Sequence, residues 1–103
     1  MSDYSDPAYP LSDVLERARV GFLHFRREAL DDAAELELTQ HDIVACILEL
    51  KESDFHKSMD AENPKWKGCR QDVYKPRYCG QEIYVKLQYW PAKRLYVVSF
   101  KRK

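Results

Sequence analysis

Residues 71–101 read QDVYKPRY-CG-QEIYVKLQYW-PAK-RLYVVSFK: three runs rich in Val, Ile, Tyr and Phe, separated by two turn signals. The pattern predicts strands over 71–78, 81–90 and 94–101, joined as an antiparallel meander. A two-residue turn at Cys79-Gly80 pairs Tyr78 with Gln81, which sets Lys75 opposite Tyr84 and Val73 opposite Lys86. A turn centred on Ala92-Lys93 then sets Tyr84 opposite Lys101. Side chains alternate between faces. Ile83, Val85, Leu87 and Tyr89 should therefore meet a core. Tyr84, Lys86 and Gln88 form the open face, flanked by Gln71, Lys75 and Arg77 on one side and by Ser99 and Lys101 on the other. Asp72 and Glu82 are assigned to the core side or its edge, which leaves the open face almost purely basic. A half-buried sheet ordinarily has a polar, solvated outer face. Like charges on neighbouring strands, however, repel by about a few tenths of a kcal/mol per pair. A cluster that repels itself argues for an anion to hold.

Upstream the periodicity changes from two to the helical period. Leu11, Leu15, Ala18 and Phe22 fall on one helical face, with Ser12 as a cap and Gly21 as the stop. Residues 27 to 37 predict a second helix with Ala29, Leu30, Ala33 and Ala34 on one side. Thr39 and Asp42 mark the start of a third, carrying Ile43, Val44, Cys46, Ile47, Leu48 and Leu50. Residues 1–10, with two prolines and little periodicity, read as a loose arm. Asp60 to Arg70, containing Asn63-Pro64 and Gly68, reads as a loop. The expected architecture is α+β: N-terminal helices packed on one face of a C-terminal antiparallel sheet, one domain over residues 1–103.

The chain carries 17 Lys and Arg against 17 Asp and Glu, a formal net charge of zero. The zero hides two opposed halves. Residues 1–64 hold 6 basic and 15 acidic side chains, net −9; residues 65–103 hold 11 and 2, net +9. Such asymmetry points to a polyanion partner for the basic half. No apolar run approaches the ~20 residues of a membrane span, and the acidic start is unlike a secretory leader. The three cysteines, Cys46, Cys69 and Cys79, form no C-x-x-C pair, and Cys69 and Cys79 would stand ~33 Å apart at opposite ends of a strand. That usage fits a reducing compartment, the cytoplasm. His24, His41 and His56 show no ligand spacing with the cysteines, so neither a metal nor any other cofactor is expected.

The basic face, read this way, has no nearby histidine, no carboxylate pair, no Gly-rich phosphate loop and no nucleophilic Ser or Cys with a base. It does have phosphate donors and a phenol. RNA brings its own nucleophile, the 2′-hydroxyl. A protein that orients this group, moves its proton and neutralises phosphate charge has what cleavage requires.

Four blocks carry a resemblance. They are Glu52-Ser53-Asp54-Phe55-His56-Lys57-Ser58-Met59, Gln71-Asp72-Val73-Tyr74-Lys75-Pro76-Arg77, Ile83-Tyr84-Val85-Lys86 and Val97-Val98-Ser99-Phe100-Lys101. In that order they resemble the MqsR family of toxins, from about Arg27 to the C-terminus. The resemblance implies a RelE-like mRNA interferase fold and a type II toxin–antitoxin system. It also implies a ribosome-independent endoribonuclease cutting at GCU-containing sites, and a cognate helix-turn-helix antitoxin. The family's functional positions fall on Lys57, Gln71, Tyr84 and Lys101. Lys57, Tyr84 and Lys101 would share proton transfer and phosphate stabilisation, and Gln71 positioning. Cleavage would proceed by 2′-hydroxyl attack, leaving a 2′,3′-cyclic phosphate. Lys75, Arg77, Lys86, Arg70 and Lys103 would steer the RNA. The loop before Gln71 is longer than the family pattern and adds Trp66-Lys67-Gly68-Cys69-Arg70. Trp66 either stacks a splayed base or packs the loop onto the sheet. Trp90 reads as a packing residue. The other reading is a non-catalytic protein of the same fold that binds RNA or an antitoxin.

Overall fold

A computed structural model describes residues 3–61, 63–89 and 93–102. Among these residues three α-helices precede most of the sheet: α1 (Leu11–Val20), α2 (Arg27–Glu35) and α3 (Gln40–Leu48). Two of their ends have a local cause. Gly21 takes the left-handed conformation (φ 82°) that closes α1. Thr39 and Asp42 form a reciprocal capping box at the start of α3. The first helix departs from expectation at its start, where Pro10 takes the N-cap position without a side-chain cap. Its predicted stripe also ends early: Phe22 lies beyond the Gly21 turn and is 67% exposed.

Among the described residues the strands are β1 (Asp3–Tyr4), β2 (Leu23–Phe25), β3 (Phe55–Asp60), β4 (Arg70–Tyr74), β5 (Arg77–Tyr78), β6 (Gln81–Tyr89) and β7 (Leu95–Arg102). Their order across the sheet is β1-β3-β4-β6-β7-β2, with β5 also paired to β6. All pairings are antiparallel except at one edge, where β2 runs parallel to β7. The first predicted strand is broken at Lys75-Pro76, because proline cannot donate to the ladder. The pairing survives the break: Val73 faces Lys86, Arg77 faces Glu82 and Tyr78 faces Gln81.

The β6–β7 pair holds a correction. Near the turn, Leu87 faces Val97 and Tyr89 faces Leu95, one residue away from the expected register. A bulge then leaves Val98 unpaired, so that Lys86 faces Ser99 and Tyr84 faces Lys101 as the sequence predicts. The turn residues Pro91 and Ala92, together with Trp90, lie outside the described residues.

The helices cover one face of the sheet. Ile83, Val85, Leu87, Leu95, Val97 and Phe100 from the strands pack with Val14, Ala18, Ala29, Ala33, Ile43, Cys46 and Ile47. Cys46 is core filler, and burial pushes its thiol up to about 12. Below that pH the thiolate is scarce, so alkylation at pH 8 should label exposed Cys79 and spare Cys46 in the native protein. Mass spectrometry of the labelled peptides would check this, and rapid labelling of Cys46 would mean that the core opens.

The arm over residues 1–10 is not loose along its described part. Asp3 and Tyr4 pair with Met59 and Ser58. The buried Asp72 carboxylate accepts from the backbone N–H groups of Ala8 (2.9 Å) and Tyr9 (3.0 Å). The Tyr9 ring stacks on Tyr89, 4.2 Å between centroids. A buried carboxylate needs such donors, and the arm supplies them. No helix among the described residues is long and apolar enough to cross a membrane.

Candidate functional site

The face away from the helices is ordered in rows. One row places Tyr84 opposite Lys101, with the Lys75 ammonium 5.6 Å from the Tyr84 ring centroid. The next runs Lys57, Val73, Lys86, Ser99 across four strands. In a third, the Gln71 side-chain amide donates to Gln88 Oε1 at 2.8 Å, both residues being buried. Of the four positions singled out from the sequence, Lys57, Tyr84 and Lys101 therefore present their ends on one open face. Gln71 shares that face but is 5% exposed. It lies at the floor of a hollow of ≈ 390 Å³, also lined by Arg26, Asn63, Trp66, Lys86 and Ser99.

That face is not purely basic. Glu82 pairs with Arg77 in the register that carries Tyr84, so it lies on the open side and not on the core side. The two outer lysines are each met by a carboxylate from the acidic half. Lys57 Nζ is 3.3 Å from Asp3, and Lys101 Nζ is 3.5 Å from Glu28. Glu28 also accepts from the Ser99 hydroxyl at 3.1 Å. Four residues on, Asp32 accepts the Phe100 N–H at 3.2 Å. Helix α2 thus covers the stretch of the β7 edge that β2 leaves unpaired. Solvent-exposed pairs of this kind contribute about 0–1 kcal/mol, so a phosphate can displace the carboxylates.

A histidine was missed. In the β3–β4 pair, Phe55 faces Tyr74 and Lys57 faces Val73, so His56 is an extra residue in a bulge. Strict alternation would send His56 and Lys57 to opposite faces. The bulge instead brings the His56 ring beside Tyr84, 6.1 Å between centroids and 20° between planes. It borders a hollow of ≈ 300 Å³ with Ser53, Asp54, Phe55, Lys75 and Glu82. Bulges commonly re-aim a side chain next to a site in this way, and period-two reading has no signal for them.

The residues expected to steer RNA separate into groups. Lys75 and Lys86 lie on the open face, and Arg77 is exposed at its edge. Arg70 does not line this face. It alternates with Gln71 and points to the other side, where it donates to Ser58 Oγ (3.0 Å) and to the Asp6 carbonyl (2.7 Å) and covers the Tyr4 ring. These contacts hold the arm. Trp66 stacks on the Arg26 guanidinium, 3.7 Å from ring centroid to carbon, and Arg26 also lies 4.9 Å from the Tyr96 ring. This pins Trp66 over the Gln71 end of the face. Lys103 lies outside the described residues. Among those residues no three His, Cys, Asp or Glu converge as metal ligands.

Two comparisons bear on this geometry. The family model described as motility quorum-sensing regulator, toxin of MqsA, matches residues 6–102, further toward the N-terminus than the four sequence blocks reach. The mRNA interferase toxin MqsR of Escherichia coli (strain K12) is 35% identical over 99 residues, covering 94% of this chain and 95% of that protein. With the match running through the arm, the helices and every strand of the site, the chain belongs to the MqsR toxin family.

Proposed function

We propose that the chain is the toxin of a toxin–antitoxin pair, an endoribonuclease that cuts mRNA without the ribosome at GCU-containing sequences. The observation that carries this reading is the convergence of Lys57, Tyr84 and Lys101 on one open face, in a chain of this family. The 2′-hydroxyl attacks the adjacent phosphorus and leaves a 2′,3′-cyclic phosphate and a 5′-hydroxyl. Lys57 and Lys101 neutralise the charge that develops on the phosphate, which supplies the cationic role without a metal ion. Lys57, Tyr84 and Lys101 between them carry proton transfer and phosphate stabilisation. Gln71, fixed by Gln88, positions the substrate at the closed end of the face. Lys75, Lys86, Arg77 and Lys103 steer the RNA backbone. Trp66 borders the hollow where a base adjoining the cut would lie. The partner that silences the enzyme is a cognate antitoxin with a helix-turn-helix DNA-binding part, and both act in the cytoplasm.

The test is purified protein, a GCU-containing RNA and excess EDTA. Cleavage to a cyclic phosphate is expected, reduced about 10²-fold or more in Lys57→Ala and Tyr84→Ala. Binding should weaken steeply with salt, since each neutralised phosphate releases counterions. RNA that is bound but left intact would establish a non-catalytic binding protein instead. Cleavage that requires a divalent ion would overturn the mechanism.

A further inference from the structure

We propose that His56 is the general base of the site, taking the proton of the attacking 2′-hydroxyl. The proposal rests on the endoribonuclease reading above and adds to it the group that the four family positions lack. Lysine and tyrosine side chains ordinarily keep their protons at neutral pH, so residues of these types come to a reaction as cations and acids. Imidazole is the ordinary side chain that changes charge near pH 6–7 and can accept a proton there.

The geometry places such a group at the reacting centre. The β3 bulge brings His56 and Lys57, adjacent in sequence, to the same open face, the first beside the Tyr84 ring and the second one row further on. The charged groups around the imidazole come from each neighbouring element. Asp54 precedes β3, Lys75 reaches in from the β4–β5 connection, and Glu82 and Tyr84 project from β6, while Lys57, next on β3, turns its ammonium to Asp3. A cation beside an imidazole, the place Lys75 holds, favours the neutral ring that begins the reaction. Carboxylates bordering the same hollow, Asp54 and Glu82, favour the imidazolium that it becomes.

The step balances. The 2′-hydroxyl proton passes to a ring nitrogen of His56 as the 2′-oxygen forms its bond to phosphorus. The bond from phosphorus to the 5′-oxygen breaks, and its electron pair leaves on that oxygen. The 5′-oxygen takes the phenolic proton of Tyr84. Both side chains then return to their starting states by exchange with water.

The experiment measures single-turnover cleavage of a GCU-containing RNA from about pH 5 to about pH 8, a window centred on the ordinary titration of histidine. The variants are His56→Gln, His56→Phe and Tyr84→Ala, with RNA binding followed by fluorescence anisotropy. The wild-type rate should rise through the histidine range. His56→Gln and His56→Phe should both lose that rise and fall about 10²-fold at neutral pH, with RNA binding little changed. Phenylalanine keeps a flat ring beside Tyr84 but no proton acceptor. A His56→Phe protein with the wild-type rate and profile would show that the ring only packs, and would overturn the proposal. If wild type cleaves, Tyr84→Ala does not and both His56 variants are normal, the base assignment fails while the endoribonuclease reading stands. A wild type that binds RNA and never cleaves it overturns both.

Discussion

Lys101→Ala is expected to slow RNA cleavage by about 10²–10³-fold, the usual cost of removing one preorganised group aimed at developing charge. The same change should leave thermal stability almost untouched. Lys101 is exposed, opposite Tyr84 on β7, and its ammonium meets the exposed Glu28 carboxylate at 3.5 Å. Losing a solvent-exposed pair costs about 0–1 kcal/mol. The cation is held in place before any substrate arrives, so it need not reorganise when a phosphate replaces Glu28. If Lys101 contacts a phosphate, the salt dependence of binding should also become shallower, by the equivalent of about one counterion contact. A cleavage assay beside a melting curve separates the two effects. A variant that cleaves at the wild-type rate would remove Lys101 from the site.

Phe100→Ala, one residue earlier, is expected to do the reverse. Phe100 is fully buried against the helices. Truncating such a ring costs about 3–5 kcal/mol through lost transfer energy and the cavity left behind. A domain of this size has about 5–15 kcal/mol in total. Urea unfolding should therefore show a large drop in midpoint, and at the weak end of that range the protein would not stay folded at all. Activity per folded molecule should persist where folded protein can be obtained, because the side chain points away from the open face. A small shift in midpoint would mean that the core at β7 relaxes to fill the space. The adjacent pair, one residue serving phosphate chemistry and the other the core, is the period of two made functional.

That alternation is why so much of the site was legible beforehand. Val, Ile and Leu at every second position of β6, with Tyr84 and Lys86 between them, assign the two faces without coordinates. The tight turn at Cys79-Gly80 sets the β4–β6 register, and Thr39 with Asp42 marks the start of α3. Two of the departures share a cause. Register arithmetic assumes an unbroken ladder, and the ladder is broken twice, at His56 and at Val98. The second break restored the expected Tyr84–Lys101 pairing after the turn had displaced it. The first put a histidine where alternation placed none. Glu82 was set on the core side against the alternation that groups it with Tyr84, and Arg70 was grouped with the open-face cations although it alternates with Gln71.

The zero net charge shows the same division. The opposed halves, −9 and +9, are a property of composition. Their meaning depends on the fold, because Asp3 and Glu28 are brought by the arm and by α2 against Lys57 and Lys101, 54 and 73 residues away in the chain. Sequence alone determined the class of fold, the two faces of the sheet, the family blocks and the identity of the polar residues, since these follow from local periodicity and residue type. Only the tertiary structure decided which cations are already paired, that the arm is anchored at Asp72, and that His56 stands beside Tyr84. Those depend on long-range contacts and on bulges, where the cost of a broken ladder is met by neighbours that the local sequence does not contain.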